Sequence, residues 1–200
     1  MLAMLILASQ STTRKALLEQ AGLRFATAPA HIDERALEQA VLDAGGDGRD
    51  VAALVARHKA ERVASAHPGA IVIGADQTLS LGTELLHKPI NRADAITQLE
   101  HLRGKTHRLH AAVTLVRDTD LLWSDVQTAE LTMRDFTPAE RDEVLDREGE
   151  AVLASVGGYR LEGPSIHLFD KVVGDYFTIL GLPLLPLLAA LRAIAPETLK

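Results

Sequence analysis

The chain contains no cysteine. This excludes disulfides, thiolate nucleophiles and cysteine-based zinc sites, so any bound metal must take oxygen or imidazole ligands. Long apolar runs are also missing: the longest are strand-sized or, near the end, broken by prolines, and none approaches the roughly 20 residues of a membrane span. The first apolar run has no basic region before it and no small-residue cleavage pattern, so no signal peptide is expected and the cytosol is the default location. Positive charge is not in excess. A net charge of -6 argues against broad nucleic-acid binding, which needs a basic surface to displace phosphate counterions, while a small anion can still bind in a local basic cleft. No GxGxxG follows a strand and no HExxH lies on a helix, which leaves dinucleotide binding and zinc-protease chemistry without support. Gly104-Lys105-Thr106 has the ending of a phosphate loop, but Leu99 stands where that motif needs its first glycine.

What is present is a chain of 200 residues, 47% hydrophobic, enough for one well-packed domain over 1–200. Its most informative stretch is the beginning. Met4-Leu5-Ile6-Leu7-Ala8 breaks into Ser9-Gln10-Ser11-Thr12-Thr13-Arg14 and then into a helical pattern, the order expected of a buried strand that delivers a hydroxyl-rich turn to a helix start. Such a turn presents unpaired backbone N–H groups, serine and threonine hydroxyls and the Arg14 fork to an anion. An ordinary helix cap accounts for the same residues.

Further along, 24–27 is a short strand. Asp33-Glu34 lies in a polar bend, and helical patterns cover 35–44 and 50–66, the second with Asp50 as N-cap. Ala70-Ile71-Val72-Ile73-Gly74-Ala75 has the composition of a strand buried on both faces, ending at Asp76-Gln77. A helix follows over 92–102, stopped by Gly104. Two strand-like segments, 106–117 and 121–133, flank the hairpin turn Asp118-Thr119-Asp120. Thr137-Pro138-Ala139-Glu140 begins another helix, 157–164 is a glycine-rich loop, and Pro183 opens a last apolar helix through Ile194. Alternating helices and strands make the fold α/β, and the hairpin makes the sheet mixed.

An acid at the end of an apolar strand is either a turn former or a ligand-facing group, because α/β sheets bind ligands at strand carboxyl ends. Asp76 is therefore the leading candidate for chemistry. Taken singly, Lys59, Lys88 and Glu34 read as solvated side chains. His107 and His110 are three apart on a strand and face opposite ways, so a shared metal is not expected.

Read together and in order, these pieces resemble the Maf family of nucleoside triphosphate pyrophosphatases. The segments carrying the resemblance are Leu7-Ala8-Ser9-Gln10-Ser11 with Arg14, Asp33-Glu34, Lys59-Ala60, Gly74-Ala75-Asp76-Gln77, Lys88-Pro89, Leu102-Arg103-Gly104-Lys105-Thr106-His107, Gly158-Tyr159 with Glu162-Gly163, and Gly174-Asp175-Tyr176 with Gly181-Leu182-Pro183-Leu184. The resemblance implies a mixed twisted sheet in two lobes around a central cleft, as in the related inosine triphosphate pyrophosphatases. It also implies a homodimer, and hydrolysis of a nucleoside triphosphate to the monophosphate and pyrophosphate with a divalent cation, Mg²⁺ or alternatively Mn²⁺. On that reading Asp76 is the proton acceptor, with Lys59 and Lys88 as its catalytic partners. Ser9, Ser11, Arg14, Gln77 and Glu162 bind substrate, and Glu34 holds the metal. No nucleic acid or membrane partner is implied.

Departures from the family pattern bear on the base. Thr12-Thr13-Arg14 keeps only the last arginine of the Pro-Arg-Arg found in many relatives, and Thr13 stands where relatives acting on 7-methyl-GTP carry an aromatic residue. Relatives favouring dTTP and UTP have Asp-Thr at Asp76-Gln77 and a glutamine at Glu162, whereas relatives acting on 7-methyl-GTP match this chain at both places. A carboxylate at Glu162 suits a guanine edge, accepting from N1–H and the exocyclic amine, and favours a cationic methylated ring. The resemblance thus leans towards a methylated purine triphosphate, with dTTP or UTP hydrolysis, an inosine triphosphate pyrophosphatase and a non-catalytic nucleotide-binding regulator of cell division as rivals. The last of these would bind nucleotide in the same cleft without turnover.

Overall fold

The computed structural model describes residues 4–199. Leu5–Ala8 forms β1, a fully buried strand, and Thr12–Gln20 forms α1. Ala26–Thr27 is β2, shorter than the expected 24–27. Two helices follow, α2 over Glu34–Asp43 and α3 over Gly48–Ala64. The N-cap of α3 is Asp47 rather than Asp50. Asp50 is the third helical residue and returns its carboxylate to the Asp47 N–H, completing a capping box that moves the helix start two residues upstream. Asp33 caps α2 by accepting from the Ala36 N–H, which places Glu34 in the first helical turn instead of a bend.

Ile71–Leu81 forms β3, Glu84–Leu86 β4, and Arg92–Leu102 α4, the last as expected. Asp76 is therefore not at a strand end: β3 continues five residues beyond it. The expectation failed because β3 changes partner. Its parallel pairing with β1 stops at Ala8–Gly74, and antiparallel pairing with β4 resumes at Leu79. The carboxylate lies two residues past the last pair with β1, where that neighbouring strand has ended.

Thr106–Arg117 is β5 and Asp120–Met133 is β6, joined through Asp118, which takes a positive φ of 53°. Pro138–Glu148 is α5, with the Thr137–Glu140 capping box anticipated from its sequence. Phe169–Val173 forms β7, Tyr176–Ile179 the short α6, and Leu184–Ile194 α7. The mixed sheet has the strand order β2-β1-β3-β5-β6-β7, with β4 paired to β3.

Two compact units are built from interleaved stretches of chain. The first takes the residues up to Gln77, His110–Gln127 and those from Asp175 onward. In it, successive residues of β1 and β3 point to opposite faces of the sheet. Leu5, Leu7, Ile71 and Ile73 pack with Leu18, Leu187 and Leu191, whereas Ile6, Ala8 and Val72 pack with Ala60 and Val63 of α3. Burial on both faces explains the unbroken apolar runs, each fully buried Leu or Ile contributing about 1.5–3 kcal/mol. The second unit takes Thr78–Leu109 and Thr128–Gly174. Here β7 pairs antiparallel with β6, and buried Leu99, Leu102, Leu131, Phe136, Leu145 and Leu168 supply apolar side chains.

Candidate active site

The first unit gathers a charged cluster where α3 crosses β3. Gly74 makes the crossing possible: a Cβ there would lie 2.0 Å from the Ala56 carbonyl oxygen and 2.8 Å from both the Cβ and the N of Ala60. Helix and strand backbones are in direct contact, with alanines at positions 52, 56 and 60 giving α3 a flat face. Asp76, two residues after Gly74, points to the same side of the strand. Lys59, adjacent to Ala60, reaches it, and its Nζ donates to Asp76 Oδ1 at 2.8 Å. The same ammonium lies 2.9 Å from Glu34 Oε1. Lys59 and Asp76 are both buried, whereas the Glu34 side chain keeps 53% exposure.

Burial raises the Asp76 pKa above the ordinary carboxylate value; Lys59 and Arg14 oppose that rise, and nearby Glu34 adds to it. The result is a carboxylate that is more basic than a solvated one and held by a hydrogen bond to a buried ammonium. Such a group accepts a proton from water more readily than an ordinary aspartate.

Arg14 closes the cluster from α1. Its Nε donates to the Gly181 carbonyl at 2.8 Å, and one terminal nitrogen donates to the Ala75 carbonyl at 3.0 Å and to Ser9 Oγ at 3.3 Å. Three guanidinium hydrogen bonds thus go to the protein itself, a strut that fixes the start of α1 against the Ala75-Asp76 stretch. Burial lowers the Arg14 pKa, against the pull of Asp76 and Glu34. Ser11 does serve as the helix cap, its hydroxyl accepting from the Arg14 N–H. Ser9 and Ser11 also line a cavity of about 310 Å³ together with Gln10, Thr12, Lys15, Thr27 and Pro29, so the cap and the cavity coexist. Gln77 donates its amide to the carbonyls of Thr178 and Ile179 at 3.1 and 2.9 Å. Gly181, at a φ of +89°, leaves room for Gln77 and Arg14 together.

Seven of the nine residues singled out from sequence, namely Ser9, Ser11, Arg14, Glu34, Lys59, Asp76 and Gln77, belong to the first unit; Arg14 contacts Ser9 and Ser11, and Lys59 contacts Glu34 and Asp76. Lys88 and Glu162 belong to the second unit. Lys88 is exposed, just after β4. Glu162 Oε1 accepts from Arg160 Nε at 3.3 Å, an interaction invisible in the sequence, where the two residues are simply close neighbours in a glycine-rich loop. The second unit also holds a buried pair: His107 Nε2 and the Tyr159 hydroxyl are 2.7 Å apart, with Phe169 against both rings. Burial lowers His107 to about 4 and pushes Tyr159 up, so both stay neutral at physiological pH.

No group of three or more histidine, aspartate or glutamate side chains converges as a metal cage among the described residues. The half-exposed Glu34 carboxylate is the oxygen donor in this cluster of the kind that holds Mg²⁺ together with substrate phosphates. No helix among the described residues is long and apolar enough to cross a membrane.

Residues 4–194 match the family model described as Maf-like protein. A 7-methyl-GTP pyrophosphatase of Brucella suis biovar 1 is 53% identical over 188 residues, 94% of each chain. A nucleoside triphosphate pyrophosphatase of Bradyrhizobium diazoefficiens is 52% identical over 189 residues, 94% of this chain and 93% of that one. Among solved structures, a HAM1 protein from Coxiella burnetii aligns with a TM-score of 0.42 at 16% identity, covering 68% of this chain and 75% of that one.

Proposed function

The chain belongs to the Maf family, and we propose that it hydrolyses nucleoside triphosphates to the monophosphate and pyrophosphate, with 7-methyl-GTP as its preferred substrate. Such an activity clears modified nucleotides from the pool. The observation that carries the reading is the Lys59–Asp76 pair: a buried carboxylate with a raised pKa, aimed by a 2.8 Å hydrogen bond on a rigid strand.

Hydrolysis requires water to attack the α-phosphorus. As the new P–O bond forms, the Asp76 carboxylate takes the water proton, the bond between the α-phosphorus and the bridging oxygen breaks, and its electron pair leaves with pyrophosphate. Negative charge then grows on the departing group. Lys59 is assigned to offset it, and the family resemblance gives Lys88 the same role. Arg14 has two roles here, its positive charge supporting the triphosphate and its hydrogen bond to Ser9 Oγ holding the Ser9–Ser11 turn in place. A divalent cation, Mg²⁺ or Mn²⁺, would be held by Glu34 and would supply further charge neutralisation of the triphosphate.

Glu162 is assigned to the base. The Brucella relative is named for 7-methyl-GTP, and a carboxylate acceptor fits both the N1–H and amine edge of guanine and the positive charge of a methylated ring. Pyrophosphate release with Mg²⁺ from 7-methyl-GTP, GTP, dTTP, UTP, CTP, ATP and ITP tests the reading. The expected outcome is fastest release from 7-methyl-GTP, abolished in Asp76→Asn. Binding without release from any triphosphate would overturn it in favour of a nucleotide-binding regulator.

A further inference from the structure

The Glu148 side chain is completely buried. A carboxylate removed from water must be paired and hydrogen-bonded, and among the described residues the Glu148 side chain is held by Arg160 and Ser165, on either side of Glu162. Glu148 Oε1 accepts from the Ser165 N–H at 2.9 Å and from its hydroxyl at 2.8 Å. Glu148 Oε2 accepts from a terminal nitrogen of Arg160 at 3.4 Å. Gly163 gives this carboxylate its room, since a Cβ there would lie 2.5 Å from Glu148 Oε1 and force it to shift.

The Arg160 guanidinium is planar, so anchoring one end fixes the direction of the other. With one terminal nitrogen on the buried carboxylate, its Nε points at Glu162 Oε1, 3.3 Å away. Glu162 keeps 28% side-chain exposure, and one of its oxygens already has a donor. Ser165, Glu148, Arg160 and Glu162 thus form one chain of contacts running from a buried hydroxyl to a partly exposed carboxylate. Two carboxylates and one guanidinium leave it with a net charge of one negative.

We propose that Arg160, locked by buried Glu148, is a positioning residue that holds the Glu162 carboxylate in a single orientation towards the donor edge of a purine base. The proposal rests on the assignment of Glu162 to base recognition given above and adds how that carboxylate is set. A glutamate on a glycine-rich loop has many rotamers, and binding a base would otherwise have to freeze them. Arg160 removes that freedom beforehand while leaving the cluster net negative, which favours a donor-bearing, cationic ring over a pyrimidine.

The test is kcat and KM for 7-methyl-GTP and dTTP in the wild type, Arg160→Gln, Arg160→Lys, Glu162→Gln and the double variant Arg160→Gln/Glu162→Gln. Arg160→Gln is expected to lower the preference for 7-methyl-GTP about tenfold, mainly through KM. Arg160→Lys should recover part of that loss, and Arg160→Gln should change the preference no further once Glu162 is glutamine. If removing Arg160 orphans the Glu148 charge and the protein fails to fold, the same comparison is made with Glu148→Gln in every chain, which keeps the Ser165 contacts without the charge. Equal losses for both substrates in Arg160→Gln, or a preference shift independent of Glu162, overturn the positioning role while Glu162→Gln still alters the ranking. A Glu162→Gln chain with an unaltered ranking removes the base assignment itself, and the positioning role with it.

Discussion

The Lys59 ammonium lies 2.8 Å from one carboxylate oxygen of Asp76, and both side chains are buried. Their meeting is set by Gly74, two residues before Asp76, where the α3 backbone rests on the strand. The pair opposes two effects, burial raising the affinity of Asp76 for a proton and the ammonium lowering it. Which of them is altered decides how the protein responds to substitution.

Asp76→Asn removes the proposed proton acceptor with little change of volume. Turnover of 7-methyl-GTP should fall by about a hundredfold or more, the scale of a lost general base, while nucleotide binding followed by calorimetry persists. Unchanged turnover would exclude Asp76 as the base.

In the wild type, kcat/KM should rise with pH through the ionisation of Asp76, and burial places that step above the usual aspartate range. Lys59→Met removes the largest influence holding the value down. The acidic limb of the pH–rate profile should therefore move to higher pH, with a loss of activity that is greatest at low pH. A limb that stays in place in Lys59→Met shows that the ammonium does not tune the base.

Gly74→Ala should destabilise the protein by about 3 kcal/mol or more, because the added methyl meets backbone atoms that cannot yield cheaply. Denaturant unfolding checks this. A loss of less than about 1 kcal/mol would mean that α3 moves off β3 at little cost, and activity would then report whether Lys59 still reaches Asp76.

Buried His107 predicts a pH dependence of stability with a definite sign. Its pKa drops from 6.5 unfolded to about 4 folded. Between those values the unfolded chain binds the proton and the folded chain does not, so this contribution is complete above pH 6.5 and is lost as pH falls towards 4. The full loss is about 3 kcal/mol. His107→Gln cannot titrate, so its disadvantage to the wild type should shrink on acidification; unfolding curves at pH 7, 5.5 and 4.5 that shift in parallel for both proteins would contradict the buried neutral imidazole.

Much of the local structure is legible in the chain because it depends on short-range chemistry. The Thr137–Glu140 capping box, the extent of α4 and the doubly buried runs of β1 and β3 follow from residues within a few positions of one another. The ordered motifs, from Ser9 to Leu184, identify the family and nominate Asp76, Lys59 and Glu34 by resemblance. Nothing local announces that β3 exchanges its partner after Gly74, which is why Asp76 lies within a strand rather than at its end. Strand pairing is a contact between distant segments, and its changes leave no mark in one segment's own pattern. Short-range patterns in the chain account for most of the helices, the long strands' apolar faces and the kinds of charged group available, but not for β4, β7 or the length of β3. Only the tertiary structure decided what each charge does: Lys59 placed between two carboxylates, Arg14 committed to the carbonyls of Ala75 and Gly181, and Arg160 suspended between Glu148 and Glu162. The physical reason is that a charge acts through its distance to other charges and its access to water, and both are properties of the packed chain.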